Sequence, residues 1–345
     1  MSEGTPIQVK PGPTGGGPGG GPAASGTLAE RLIPSHLPSL RVVGPLIILP
    51  ILIIVFQGLN DRFLTSENIK TIVQQASVLL VVAGGATFVI LMGSIDLSVG
   101  SLISVCGVSG ALLIQDHGQW AVALIPLIGI AAGAINGLLF AYAKLPSFLV
   151  TLGTLYAFNG LGLYIVSGSS VALQPDLVLG KIFAGTFLGI PTIALWAALV
   201  TAILIVVARW TRFGRYTYVI GGGEEVARLS GVPVRRHKFL VFVLSGLLAA
   251  CAGVLDIFFI QGGDPNMGTA FLLPTIAAVV MGGTPLTGGV GGPHRTILGV
   301  LIITVLNNGM TLANVQPYLQ IVIQGFVVVG AVALAMDRSR LSLIK

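Results

Sequence analysis

The chain has 345 residues, 54% of them hydrophobic and only 9% charged, with a mean hydropathy of +0.95. Soluble domains carry about a quarter charged residues, so this composition excludes a water-soluble globular protein and points to an integral membrane protein. A net charge of +6 could suggest a nucleic-acid partner in a soluble chain, but here the basic residues lie in short segments between apolar runs, where they read as topology signals and not as a nucleic-acid surface.

Residues 1–41 open with a Gly/Pro-rich tract, PGPTGGGPGGGP, which cannot bury enough apolar surface to fold. They are expected to form a disordered cytoplasmic tail and lead-in. A cleaved signal peptide is not expected, because the first apolar run starts late and no small-residue cleavage site follows it. The apolar runs are about 18–25 residues long, the length at which a helix crosses roughly 30 Å of hydrocarbon. A β-barrel would instead alternate polarity in segments of about 10 residues. The expected fold is therefore all-α, a polytopic transmembrane helical bundle over residues 42–337. Ten helices are read at about 42–59, 70–92, 97–115, 120–143, 147–167, 189–208, 238–260, 269–282, 296–313 and 318–336. The eighth is short and carries Pro274, so it reads as a half-helix or a tilted one. Residues 338–345 are expected as a cytoplasmic C-terminal tail.

With the N-terminus inside, 15 of the 18 Lys and Arg residues fall on the inner side, and only Arg62, Lys70 and Lys181 lie outside. This asymmetry puts both termini in the cytoplasm, together with the charged interval 209–238 (RWTRFGRYTYVIGGGEEVARLSGVPVRRHK). Within that interval Gly221, Gly222 and Gly223 break the chain, and Glu224 and Glu225 fall in a first helical turn. Arg228 follows Glu224 by four residues, Gly231 offers a C-terminal cap, and Pro233 lies just beyond. The expected element is a two-turn helix, Glu224–Ser230. Val226 and Leu229 would share an apolar face. Because a helix this short is not stable alone in water, it must pack either on its own membrane domain or on a partner.

Small residues at four-residue spacing let membrane helices approach closely. Gly129, Gly133 and Gly137 form one such set, and Ser245, Ala249 and Gly253 another. Cys106 and Cys251 lie in apolar runs without metal-ligand spacing, and the four histidines form no ligand pair. No GxxxxGK[ST] loop occurs: Gly180-Lys181 is followed by Ile182 and has Pro175 where the first glycine would be. No clustered nucleophile set or HExxH stands out either, so energy or chemistry must come from elsewhere.

Polar residues inside apolar runs cost free energy in lipid and tend to face a bundle interior or cavity. Asp96, at about 2.5–3.5 kcal/mol if it sat at a helix centre, is expected to cap the third helix, with substrate contact as the alternative. Asp256 sits deeper in an apolar run without an obvious partner. Gln74, Gln75, Asn136, Thr151, Asn159, Asn307 and Asn308 are uncharged donors and acceptors of the kind a polar solute needs, or of the kind that bridges helices. These nine residues are the candidate substrate path. An internal echo, Met92–Gly100 against Met281–Gly289 (MG[SG]xxL[ST]xG), marks two helix breaks and raises the question of a repeat.

Five segments carry a family resemblance: GSIDLSVGS (93–101), LPSFLVTLGTLYAFNGL (145–161), FGRYTYVIGGGEEVARLSGVPV (213–234), TIAAVVMGGTPLTGG (275–289) and VLNNGM (305–310). In this order they resemble the permease subunits of bacterial ABC importers of the ribose/xylose type, in the wider family with branched-chain amino acid permeases. The resemblance implies a multi-pass inner-membrane permease, a transport subunit and not an enzyme, that pairs with a second copy of itself. It also implies a cytoplasmic ABC ATPase that binds ATP and Mg, a periplasmic binding protein that delivers a monosaccharide or related polyol, and no cofactor on this chain. On the same pattern, Gly223, Glu224, Glu225, Val226, Ala227, Arg228, Leu229, Ser230 and Gly231 resemble the coupling helix gripped by the ATPase. Two stretches depart from the pattern, Phe271-Leu272-Leu273-Pro274 and DIFFIQGGDPNMG, and both bear on the identity of the sugar. The competing class is an ion-gradient-driven secondary transporter of a small polar solute, for which only Asp96 and Asp256 could carry ions within the membrane.

Overall fold

A computed structural model describes residues 40–335. The expected tails at 1–41 and 338–345 lie outside the described residues, apart from Leu40 and Arg41 at the start of the first helix. Thirteen α-helices make up the described chain. They are α1 (Leu40–Leu59), α2 (Ser66–Leu91), α3 (Val99–His117), α4 (Ile125–Ala141), α5 (Ser147–Ile165), α6 (Val178–Ala184), α7 (Thr192–Trp210), α8 (Arg212–Gly222), α9 (Glu224–Leu229), α10 (Val234–Phe259), α11 (Thr269–Met281), α12 (Pro293–Leu312) and α13 (Pro317–Ala335). Two ribbons of two-residue strands are the only sheet among the described residues: Val171–Ala172 against Gly262–Gly263, and Thr186–Phe187 against Ile190–Pro191. Seven helices, counting the 3₁₀ turn Gln119–Leu124 as the lead into α4, are long and apolar enough to cross a membrane; α1 and α13 are also apolar, and α11 is a shorter apolar helix. The fold is the expected polytopic helical bundle.

Local chemistry explains where the helices start and stop. Thr65 caps α2 by accepting the Asn68 N–H at 3.4 Å, with Glu67 in the first turn. The long apolar run of α2 then buries continuously from Ala76 to Leu91 apart from Leu80. At the other extreme α11 has only 13 residues, about 20 Å at 1.5 Å per residue and so too short to cross roughly 30 Å of hydrocarbon. It ends at Gly282 and continues as irregular backbone through Gly292. Gly288, Gly289, Gly291 and Gly292 take positive φ there, and Gly283, Thr284 and Pro285 are buried. Non-helical backbone at such depth is tolerated because protein surrounds it.

The helix α10 is the axis of the bundle, packed against α2, α3 and α4. Its contact with α4 is glycine on glycine. A methyl on Gly129 would strike the Gly246 carbonyl and Ala250, and one on Gly133 would reach within 3.0 Å of Val243 Cα. The small-residue stripe expected on α10 points elsewhere: Ser245 approaches Gly85 of α2, and Gly253 lies against Ile103 and Cys106 of α3. Gly246, one residue along from Ser245, is what meets α4. Cys106 is buried and Cys251 half-buried, and both are free. By contrast α5, α7 and α13 expose apolar side chains such as Leu149, Tyr156, Leu199, Ile203, Ile321 and Phe326, the surface a bilayer would cover.

Two elements were not anticipated from sequence. The segment before α7 contains α6, and the interval 209–238, expected as a charged loop with one short helix, is mostly helical. In α8, Gly214, Thr217 and Ile220 are buried while Arg212 and Arg215 face out, so a real amphipathic helix is hidden by its arginines. Thr211 caps it by accepting the Gly214 N–H at 3.2 Å.

Candidate docking helix and polar cleft

At one end of the bundle α8 turns at Gly223 into α9. The C-terminus of α9 closes as a Schellman motif: the Gly231 N–H donates to the Arg228 carbonyl and the Val232 N–H to the Ala227 carbonyl, each at 3.1 Å, with Gly231 at φ +79°. The expected cap is present. The helix is one residue shorter than read, because Ser230 is the C-cap. The expected Glu224–Arg228 pair is not formed. Glu224 accepts from Lys238 Nζ at 2.7 Å on both oxygens, and Arg228 Nε donates instead to Glu225 Oε2 at 3.0 Å. The reason is that α10 starts directly under α9 and brings Lys238 to Glu224, with the ammonium 4.6 Å above the Phe140 ring. Arg228 then takes the acid one turn back. It holds the Glu225 carboxyl below its ordinary range, chiefly through their hydrogen bond, while Glu225 raises Arg228.

The burial pattern of α9 is one-sided. Ala227 is 0% exposed and anchors the helix to the body, whereas Val226 is 66% and Leu229 75% exposed. The expected apolar face therefore packs on nothing among the described residues. Above α9, α8 is seated against two chain breaks. A methyl on Gly221 would collide with the Leu91 carbonyl and come within 2.6 Å of Gly289 N. Gly289 N–H itself donates to the Leu91 carbonyl at 2.9 Å, and Tyr218 Oη donates to the Gly291 carbonyl at 2.9 Å. Burial raises the Tyr218 phenol, against the opposing effect of Arg209 and Arg295. The two echoed breaks after Met92 and Met281 thus lie at the same end and touch, Gly93 facing the Thr287 carbonyl.

The nine polar candidates divide into four places. Asp96 and Asn136 belong to one buried knot. Asp96 Oδ1 accepts from Ser98 N–H at 3.0 Å and Ser98 Oγ at 2.6 Å, Oδ2 accepts from Ser245 Oγ at 2.8 Å, and Asn136 Nδ2 donates to Ser98 Oγ at 2.8 Å. Ser98 is the N-cap of α3, so Asp96 closes an Asx turn ahead of the helix and does not cap its first turn. Thr151 is buried on α5 and donates to the Ser147 carbonyl at 2.9 Å, and Asn159 is half-buried on the same helix. Gln74 lines a cleft of about 270 Å³ with Gln174, Lys181 and Gln261.

The remaining four converge. Gln75, Asp256, Asn307 and Asn308 line one cleft of about 190 Å³ with Thr304, Thr311, Phe259, Phe271 and Pro274. It opens between α2, α10, α11 and α12, toward the end of the bundle opposite α9. Asn308 is spoken for, since its amide exchanges two 3.0 Å bonds with Asn68. Asn307 Oδ1 accepts from Gln324 Nε2 at 3.1 Å, and its NH₂ donates to no partner among the described residues. Sequence reading missed Thr304, although its three-residue spacing from Asn307 places both on one helix face. It also missed Lys238, whose role depends on α10 starting beneath α9. No group of three or more His, Cys, Asp or Glu that could hold a metal occurs among the described residues.

Helices of bilayer length, a capped charged helix projecting at one end and a polar cleft buried toward the other define a membrane transport subunit. Residues 68–332 match the family model described as branched-chain amino acid transport system / permease component. The chain is 39% identical over 303 residues to the ribose import permease protein of Bacillus subtilis (strain 168), covering 87% of this chain and 94% of that protein. It is 38% identical over 293 residues to the ribose import permease protein of Escherichia coli (strain K12), covering 83% and 91%. It is also 36% identical over 296 residues to the D-allose transport system permease protein of the same strain, covering 84% and 90%. No solved structure matches the chain. The chain belongs to this permease family and is a multi-pass membrane protein.

Proposed function

We propose that this chain is the membrane-spanning permease subunit of an ATP-driven importer of a monosaccharide or related polyol. It works as a homodimer on two cytoplasmic ABC ATPases and receives its sugar from a periplasmic binding protein. The sugar relatives, at 36–39% identity over most of the chain, support the substrate class. The distribution of basic residues supports a cytoplasmic position for α9 and both termini.

The observation that carries the coupling role is the exposure of Val226 and Leu229 on a six-residue helix held to the body only by its opposite face. Such a helix presents an apolar edge ready for a partner. Closure of the ATPases on ATP moves α9, and α8 passes the displacement to the breaks at Leu91–Gly93 and Gly288–Gly292. The helices that end there, α2 and α11, together with α12, line the cleft of Asp256. The nine polar residues then have separate roles: Gln75, Asp256 and Asn307 lie on the route, Gln74 lines a separate cleft, and Asp96, Asn136, Thr151, Asn159 and Asn308 hold the helices that frame it.

Proteoliposomes carrying the chain with its ATPase and binding protein test this reading. Sugar uptake is expected to require ATP and to survive an uncoupler. Uptake that persists without ATP and collapses with an uncoupler would replace it with a secondary transporter.

A further inference from the structure

Asp256 is buried to 4% exposure in the last turns of α10, yet it accepts no hydrogen bond and meets no cation among the described residues. A carboxylate in this condition is costly within a membrane protein unless something else supplies donors. The Thr304 hydroxyl, which lines the same cleft, is also buried without a partner. Beside them Asn307 offers an uncommitted amide NH₂ and Gln75 an amide open to solvent. Phe259 and Phe271 also line the cleft and supply flat apolar surface. The cleft lining therefore combines a carboxylate acceptor, hydroxyl and amide groups and aromatic rings.

We propose that Asp256, with Thr304 and Asn307, is the specificity-determining contact of the permease, its carboxylate accepting hydrogen bonds from hydroxyls of a single sugar unit as that sugar crosses. This rests on the sugar-permease reading above and adds which groups read the cargo. A sugar hydroxyl is a donor that an acceptor-only carboxylate can use, and two adjacent hydroxyls can occupy both oxygens. The C–H face of the ring fits the phenyl groups. A volume of about 190 Å³ lies below the roughly 300–1,000 Å³ of pockets for drug-sized ligands, which suits one monosaccharide and not a chain of them. Other uses of the residue are weaker. A metal would need further ligating acids or histidines, and none gathers there among the described residues. A structural ion pair would need a cation, and the cleft lining has none.

The test replaces the gene in its own host with Asp256→Ala, Asp256→Asn or Thr304→Val, and measures uptake of D-ribose, D-allose and L-arabinose with their monodeoxy analogues. The amount of chain in the membrane is quantified for each variant. Because the binding protein is unchanged, a shift in the ratio of parent sugar to deoxy analogue reports the permease alone. Asp256→Ala is expected to lower uptake of the parent sugar about tenfold, the loss of a hydrogen bond to a charged group. For at least one analogue the fall is smaller, so that its discrimination collapses toward one, and Thr304→Val moves the same ratio less. Unchanged uptake overturns the proposal, and so does an equal fall for parent and analogues, which would mark a structural role. A wild-type chain that moves no monosaccharide or polyol from a panel that includes these three would remove the sugar-permease reading and this inference with it.

Discussion

Leu91 and Gly289 are far apart in sequence, yet the Gly289 N–H donates to the Leu91 carbonyl at 2.9 Å, and Gly221 of α8 rests directly on that bond. Two chain breaks and a helix thus share one point, and that helix leads straight into α9. A side chain there must push at least two of the three apart. Gly221→Ala is expected to leave the chain in the membrane but to lower ATP-driven uptake more than tenfold, while basal ATPase activity of the complex persists. Uptake and ATP hydrolysis measured together on one proteoliposome preparation check this, and a variant with normal uptake would mean that the contact carries no motion.

The outer face of α9 supports a cleaner separation of stability from coupling. Val226→Asp and Leu229→Asp change exposed positions, so each is expected to alter stability by no more than about 0.5 kcal/mol. Both should nevertheless abolish stimulation of the ATPase by loaded binding protein. Thermal melting in detergent and ATPase assays give the two readings. By contrast Ala227→Leu, at the fully buried anchor, should destabilise the region by about 1–3 kcal/mol through overpacking.

The ion pair between Glu224 and Lys238 calls for a charge-swap cycle. Glu224→Lys alone places two ammonium groups together and is expected to loosen α9, whereas Glu224→Lys with Lys238→Glu restores most of the coupling. The pair is partly exposed, so its net worth is at most about 1 kcal/mol. The expected readout is partial rescue of uptake, and absence of rescue would show that Lys238 acts through the Phe140 ring or the partner instead.

The knot around Asp96 should behave as architecture. Ser245→Ala removes one of its donors and is expected to cost about 1–2 kcal/mol, between the mean for interhelical bonds in membranes and that for an orphaned buried group. Uptake per folded molecule should stay within about twofold, unlike the Asp256 variants. Melting temperature and uptake normalised to folded chain separate these outcomes.

The positions of the ten apolar helices were legible because lipid length and unbroken hydrophobicity leave little else for such runs to do. The Schellman end of α9 was legible for a related reason, since Gly231 followed by Pro233 admits few conformations. What was hidden depended on distance in sequence. The pairing of Glu224 with Lys238 and of Asp96 with Ser245 is set by how α10 lies against its neighbours, and a local spacing rule offered Arg228 and a helix cap in their place. α8 was hidden because its arginines mask a buried edge of Gly214, Thr217 and Ile220. The nine polar residues were chosen for chemistry alone, and chemistry cannot tell an amide that holds two helices from one that faces a cleft.

The contact between α4 and α10 restricts how this protein can change over generations. A methyl on Gly129 would strike the Gly246 carbonyl, and a methyl on Gly246 would strike the Gly129 carbonyl. Each residue blocks the other's replacement, so neither mutation can come first without prising apart the axis of the bundle. A variant library covering both positions should retain function almost exclusively with glycine at both. Adaptation toward a different solute is thereby pushed to side chains around the cleft, where a single substitution alters chemistry without moving a helix.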